Sequence, residues 1–293
     1  MSSIGFLGPK GSFSEEALQL FMSQQEDWKE NRPDPIPFST IPKLLSACDR
    51  HEIDYGFVPL ENSTEGQVGA TMDTLGQTEN IYIFKEFIHP IEQCLLTPKP
   101  LELSQIERVY SHEQALGQCR DFLETHLPQA EQIVSLSTAQ AAQKVSSTQE
   151  NWAAIGTHRA AELYSLHCQE ERIQDAMLNA TRFIFVTHSL AEMSPEMSAE
   201  DKTSLLIIAP NVAGSLSQIL LEFATRNINM SRIESRPSKK KLGEYVFFID
   251  IDGYVFSPII QEALWSLREK NVSTKLLGSY PKALPPALTS PCS

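Results

Sequence analysis

Between Asp54 and Gly69 an apolar run breaks off abruptly into a cluster of hydrogen-bonding side chains. Tyr55-Gly56-Phe57-Val58-Pro59-Leu60 has the length and apolar density of a short buried strand. Glu61-Asn62-Ser63-Thr64-Glu65-Gly66 follows it directly. Open α/β sheets bind ligands at the carboxyl ends of their strands, so the pattern predicts an α/β fold with a site here. A mirror of this junction occurs where Asn179-Ala180-Thr181-Arg182-Phe183 opens the apolar run Ile184-Phe185-Val186. Two such junctions far apart in the chain predict one cleft walled by distant segments.

The rest of residues 1–187 alternates strand and helix patterns. Ile4 to Leu7 reads as a strand, Gly8-Pro9-Lys10-Gly11 as a turn, and Ser12 with Glu15 as a capping box for a helix bearing Ala17, Leu18 and Phe21. Pro42 marks a helix start. Ile81 to Phe87 and Gln93 to Leu96 read as strands at a crossing between two lobes. Val109-Tyr110 leads into one helix from His112 to Leu127, and Ser137-Thr138 opens an Ala-rich helix. Alternating strands and helices imply parallel sheets, here two lobes with the second at about residues 83–165. Residues 188–202 lack periodicity and read as a linker. Residues 203–280 read as strand, helix, strand, strand, helix, strand, the ferredoxin-like βαββαβ order. There Leu216, Ile219, Leu220 and Phe223 form a helical stripe. Residues 281–293, with four prolines, read as a flexible tail.

A formal net charge of −13 argues against nucleic-acid binding. The same charge repels anionic ligands at long range, so an anion would be held by local donors. No apolar run approaches the ~20 residues of a membrane span, and Met1-Ser2-Ser3-Ile4 lacks the marks of a secretory signal. The expected compartment is the cytoplasm. The cysteines and histidines show neither C-x-x-C nor H-E-x-x-H spacing, so no metal centre is expected.

Taken in order, Gly8-Pro9-Lys10-Gly11-Ser12-Phe13-Ser14, Val58-Pro59-Leu60-Glu61-Asn62-Ser63, Ser111-His112-Glu113-Gln114-Ala115-Leu116, Asn179-Ala180-Thr181-Arg182-Phe183 and Glu234-Ser235-Arg236-Pro237 resemble the motifs of prephenate dehydratases that carry a C-terminal ACT regulatory domain. The resemblance covers roughly residues 3–280. It implies a two-lobed, periplasmic-binding-protein type II-like catalytic domain followed by an ACT domain, assembled as a homodimer or homotetramer. With no helical mutase-like segment before Ile4, a monofunctional enzyme is expected. The implied reaction converts prephenate to phenylpyruvate, expelling water and carbon dioxide, without a metal or redox cofactor. L-phenylalanine is the implied effector, and arogenate is a rival substrate.

Carried over residue by residue, the resemblance puts Thr181 at the leaving hydroxyl. It puts Glu61, Asn62, Ser63, Ser111, His112, Gln114, Thr138, Asn179, Arg182 and Phe183 around the substrate, with Arg182 gripping a carboxylate. Gly214, Ser215, Leu216, Asn229, Glu234, Ser235, Arg236 and Pro237 become the effector site. A threonine hydroxyl is a poor acid near neutrality, so a hydrogen-bond donor or proton relay fits better, with Glu61 or His112 behind it. Plainer readings exist for the same residues. Asn62-Ser63 suits a helix cap, Thr181-Arg182 a strand entry with an ion pair, and His112 a helix start. A non-catalytic, amino-acid-responsive binding protein is the alternative from another class.

Overall fold

A computed structural model describes residues 2–26, 28, 31–176, 178–192, 200–238 and 245–283. Most of the expected linker (193–199), residues 239–244 and the tail beyond residue 283 lie outside the described residues. The first half of the chain runs β1 (Ser3–Leu7), α1 (Phe13–Gln24), β2 (Asp34–Phe38), α2 (Ile41–Asp49), β3 (Tyr55–Asn62), β4 (Gly66–Gln67), α3 (Gly69–Gln77), β5 (Tyr82–Pro90), β6 (Cys94–Thr97), β7 (Arg108–Ser111), α4 (Glu113–Gln118) and α5 (Arg120–His126). It continues with β8 (Glu131–Val134), α6 (Thr138–Ser146), β9 (Trp152–Gly156), α7 (His158–Tyr164), β10 (His167–Glu170), β11 (Ala180–Thr187), β12 (Asp201–Ile208), α8 (Ser215–Ala224), β13 (Met230–Pro237), β14 (Tyr245–Asp252), α9 (Pro258–Glu269) and β15 (Ser273–Pro281). Two compact units result. One comprises Met1–Leu44, Phe57–Gln67 and His89–Arg182, the other Leu45–Gly56, Val68–Ile88 and Phe183–Ser293.

In the first unit a five-stranded sheet has the order β10-β6-β9-β7-β8. β7 runs parallel to β8 and β9, whereas β6 is antiparallel to β9 and β10, so the sheet is mixed and not all-parallel. Successive strand residues point to opposite faces, and both faces are apolar. Cys94, Leu96, Tyr110 and Ala154 pack with Ala141, Ala142, Val145 and Ala160 from α6 and α7. Leu95, Val109, Ala153 and Ile155 pack with Ala115 and Leu116 from α4, Leu123 from α5, and Cys119 between them. Elsewhere in this unit β1 pairs with β2 in parallel, and β3 folds back on β4.

The helix expected over His112–Leu127 is two helices. The chain leaves helical geometry at Cys119 (φ −116°, ψ 24°). Asp175, distant in sequence, accepts hydrogen bonds from the backbone N–H of Arg120 and Asp121 and so caps the second helix. No local pattern announces a cap that arrives from so far along the chain.

In the second unit the order βαββαβ holds, with strands arranged β13-β14-β12-β15 and neighbours antiparallel. α8 and α9 cover one face, where Leu205, Ile207, Ile249 and Ile251 meet Ile219, Phe223, Ile260 and Leu267. Of the predicted α8 stripe only Ile219 and Phe223 are buried, while Leu216 and Leu220 face out. The opposite face, with Leu206, Ile208, Val246 and Phe248, borders a cavity of about 450 Å³ whose other wall is α3. β15 also runs parallel to β5, which neighbours β11. This contact requires glycine, because a Cβ at Gly278 would lie 2.0 Å from the Ile83 carbonyl oxygen. Residues 83–90, read from sequence as part of the second lobe, thus sit outside the five-stranded sheet.

Candidate functional site

The end of β3 builds the site from its own backbone outward. Asn62 is the last strand residue, and the hairpin closes through Gly66, whose φ of +82° favours glycine. Asn62 Oδ1 accepts from the backbone N–H of Thr64 and Glu65, both at 2.9 Å. This turn leaves the amide one orientation, because only an oxygen can accept from two N–H groups. Asn62 Nδ2 is therefore aimed at β11 and the residues before it. It donates to Asn179 Oδ1 at 2.8 Å and to Thr181 Oγ1 at 2.9 Å. The two chain segments are further stitched by Ser63, whose N–H donates to the Ala180 carbonyl at 2.9 Å. Its hydroxyl donates to the Leu178 carbonyl and accepts from Ala180 N–H.

Thr181 is buried. A hydroxyl that accepts a bond from an amide keeps its own proton for another acceptor. The arrangement can present that proton as a hydrogen bond at a fixed point. An amide chain supports it: Asn179 Nδ2 reaches Gln118 Oε1 at 3.5 Å, which also accepts from Gln93 Nε2 at 3.2 Å, and Gln118 Nε2 donates to Glu65 at 3.3 Å. Gln93 N–H in turn donates to Gln174.

A cavity of about 570 Å³ adjoins this network, lined by His112, Gln114, Gln118, Gln174, Asn179 and the carboxylates Glu65, Glu113 and Asp175, among others. No lysine or arginine is among its lining residues. His112 caps α4, its Nδ1 accepting from Gln114 N–H, so the ring proton sits on Nε2. The plain helix-start reading and a place at the cavity both hold for His112.

Several predicted residues stand elsewhere. Ser111 is buried and its hydroxyl donates to the Ile155 carbonyl at 2.8 Å, inside the sheet. Thr138 is the first residue of α6, whose cap is Ser137. Strand alternation sets Arg182 on the side of β11 opposite Thr181 and Phe183, and Glu61 on the side of β3 opposite Asn62. A grip by Arg182 on a ligand beside the Thr181 hydroxyl does not follow from this register. Asn62 caps a tight turn and not a helix, since α3 starts at Gly69 without a side-chain cap.

The proposed effector residues divide between the two faces of the β12–β15 sheet. Gly214 (φ +87°), Ser215 and Leu216 start α8, and Ser235 lies on the helix-facing side of β13, paired with Phe247. Pro237 ends the strand and lines the cavity between the opposite face and α3. Asn229 donates to Asp252 at 2.9 Å. Burial raises the Asp252 carboxyl, but the Asn229 amide and the Lys282 ammonium hold it below its usual range. Glu234 and Arg236 point to the other face. There the Arg236 guanidinium takes Asp73 of α3 in a bidentate grip, Nε donating to Oδ1 at 3.2 Å and Nη2 to Oδ2 at 3.1 Å, and lies over Gly69. Gln118, Gln93 and Asp73 were not anticipated, because lone polar residues in ordinary helix or strand context carry no local signature.

An α/β part in which a buried hydroxyl is held by an amide network lining a polar cavity, followed by a ferredoxin-like sheet with two helices, suits a small-molecule enzyme joined to a ligand-sensing domain. Comparison with known proteins gives that class its family. Residues 4–191 match the family model described as prephenate dehydratase, and residues 203–261 match the ACT domain. A prephenate dehydratase of Amycolatopsis methanolica is 37% identical over 283 residues, covering 97% of this chain and 90% of the relative. The solved structure of a prephenate dehydratase in complex with L-Phe from Arthrobacter aurescens superposes with a TM-score of 0.85 at 34% identity, covering 99% of this chain and 93% of that one. A protein described as a novel type of quorum quenching acylase superposes with a TM-score of 0.83 at 26% identity, covering 96% and 98%. The chain belongs to the prephenate dehydratase family and carries an ACT domain.

Proposed function

We propose that this protein converts prephenate to phenylpyruvate, as its named relatives do, and that L-phenylalanine bound to the ACT domain restrains it. The observation that carries the reading is the Asn62 amide, locked by two backbone N–H groups and holding the Thr181 hydroxyl at 2.9 Å. Aromatisation of the ring drives the reaction, so the main task is to assist departure of the ring hydroxyl. A proton held at a fixed point by Thr181 does this, an assistance worth roughly 10²–10⁴-fold for a positioned acid. Asn62 positions Thr181, and Asn179, His112 and Gln114 line the pocket for the rest of the substrate. The cavity wall is acidic, so a dianion would be held by amide and backbone donors, with little electrostatic steering.

An acylase reading draws no support from the same geometry. Acyl transfer needs a hydroxyl whose proton is removed by an adjacent base, whereas Thr181 receives a hydrogen bond from an amide. On the regulatory side, residues 1–187 form the catalytic region and 203–280 the ACT domain in this reading. β13 ends its sheet with an open edge, and Val212, Leu216, Leu220 and Ile233 are exposed nearby. Both features suit a dimer of ACT domains.

Incubating purified protein with prephenate, with and without L-phenylalanine, and following phenylpyruvate by its absorbance in alkali tests the proposal. Phenylpyruvate formation that falls as L-phenylalanine is added is the expected result. No product from prephenate, or hydrolysis of acyl amides in its place, would overturn it.

A further inference from the structure

Three soft ligands outside the amide network converge in the five-stranded sheet. Cys94 opens β6, where the register sets it opposite Gly156 at the end of β9. Two residues past Gly156, His158 begins α7. On the other flank of β6, Cys168 lies on β10 opposite Leu96, and the register shifts between Cys168 and Glu170. One ligand atom from each of Cys94, His158 and Cys168 lies within 4.8 Å of the other two. Cys94 is fully buried, and the other two are half-buried.

We propose that Cys94, His158 and Cys168 form a binding site for a thiophilic d10 cation, zinc above all, with water at the fourth position. Two thiolates and an imidazole are a donor set such an ion prefers over magnesium or calcium. Bond lengths of about 2.3 Å to sulfur and 2.0 Å to nitrogen place tetrahedral ligand atoms roughly 3.5–3.8 Å apart, so the trio closes on the ion with shifts of about 1 Å or less. Burial first, and then Cys168 and nearby carboxylates, push the Cys94 thiol up, and burial also raises Cys168. A bound cation replaces the thiol protons and offsets the desolvation that otherwise keeps them on. It would tie β6, β10 and the start of α7 together. Thr157, beside His158, bonds the Gly11 carbonyl at 3.0 Å, so the tie reaches the glycine turn before α1. The proposal stands apart from the dehydratase reading, since none of the three residues belongs to the Thr181 network.

The test uses the full chain, stripped with a chelator and kept reduced. Titration with zinc against a chromophoric competitor should show one ion bound per chain. Cobalt in its place should give the thiolate charge-transfer absorbance of a tetrahedral site. Cys168→Ser and His158→Ala should each weaken binding at least tenfold, while His167→Ala, a neighbouring histidine outside the trio, should leave it unchanged. Circular dichroism confirms that each variant is folded. Absence of stoichiometric binding, or zinc affinity unchanged in folded Cys168→Ser, would overturn the proposal.

Discussion

Replacing Asn62 with aspartate separates the positioning of Thr181 from the integrity of the turn. The two side chains have the same shape, and one carboxylate oxygen would still accept from the N–H groups of Thr64 and Glu65. The other oxygen would replace a donor with an acceptor 2.9 Å from Thr181 Oγ1 and 2.8 Å from Asn179 Oδ1. Thr181 then turns its proton onto the new carboxylate and away from the substrate. Asn179 can exchange the ends of its amide, but this sets its oxygen against Gln118 Oε1. One or two neutral hydrogen bonds are lost, at about 1 kcal/mol each, so Asn62→Asp should cost about 1–2 kcal/mol. For a chain of this size that is a fall in Tm of roughly 2–8 °C. Turnover should fall much further, by about 10²–10⁴-fold in kcat, as expected for loss of a positioned proton donor. Phenylpyruvate formation and thermal melting of the same preparation measure both effects. A variant that melts near the parent and turns over at the parent's rate would refute the positioning role of Asn62.

Thr181→Val should abolish turnover, while Thr181→Ser, which keeps the hydroxyl, should retain much of it; equal rates for the two would remove Thr181 from the mechanism. Asp73→Asn weakens the grip on Arg236 and should shift the concentration of L-phenylalanine needed for half-inhibition without changing the uninhibited rate, as inhibition curves will show. The bond from Lys270, with Arg226 at 2.7 Å, holds the Glu222 carboxyl below its usual range. A depressed carboxylate contributes stability above its unfolded pKa of about 4.3 and loses it as pH falls through the folded value. Glu222→Gln should therefore melt below the parent at neutral pH, and the gap should close on acidification below about pH 4. Gly278→Ala should destabilise the second unit strongly, since its Cβ would collide with the Ile83 carbonyl, and chemical denaturation measures the loss.

Patterns with a short period were legible before any coordinates. The βαββαβ order, the polar junction after Leu60 and its mirror at Asn179 all rest on neighbours in sequence. Contacts supplied from afar were not legible. Asp175 splits the helix after His112, and Asp73 draws Arg236 toward α3, yet neither aspartate stands out locally. The trio Cys94, His158 and Cys168 escapes motif reading for the same reason, because no two of its members have a metal-binding spacing. The facing of Arg182 and Glu61 was within reach. Strict alternation along a strand already separates Arg182 from Thr181 and Glu61 from Asn62, and the burial pattern of β11 follows it at that end.

The parallel register between Gly278 and Ile83 bears on how this protein can be dissected. β5 belongs to the region matched by the dehydratase model, and β15 closes the ferredoxin-like sheet, so the sensing module is woven into its neighbour by main-chain bonds. Cutting between residues 191 and 203, where the two family matches separate, would strip the flank of β5 and leave a ragged, sticky strand. Amputation at that seam would damage both fragments.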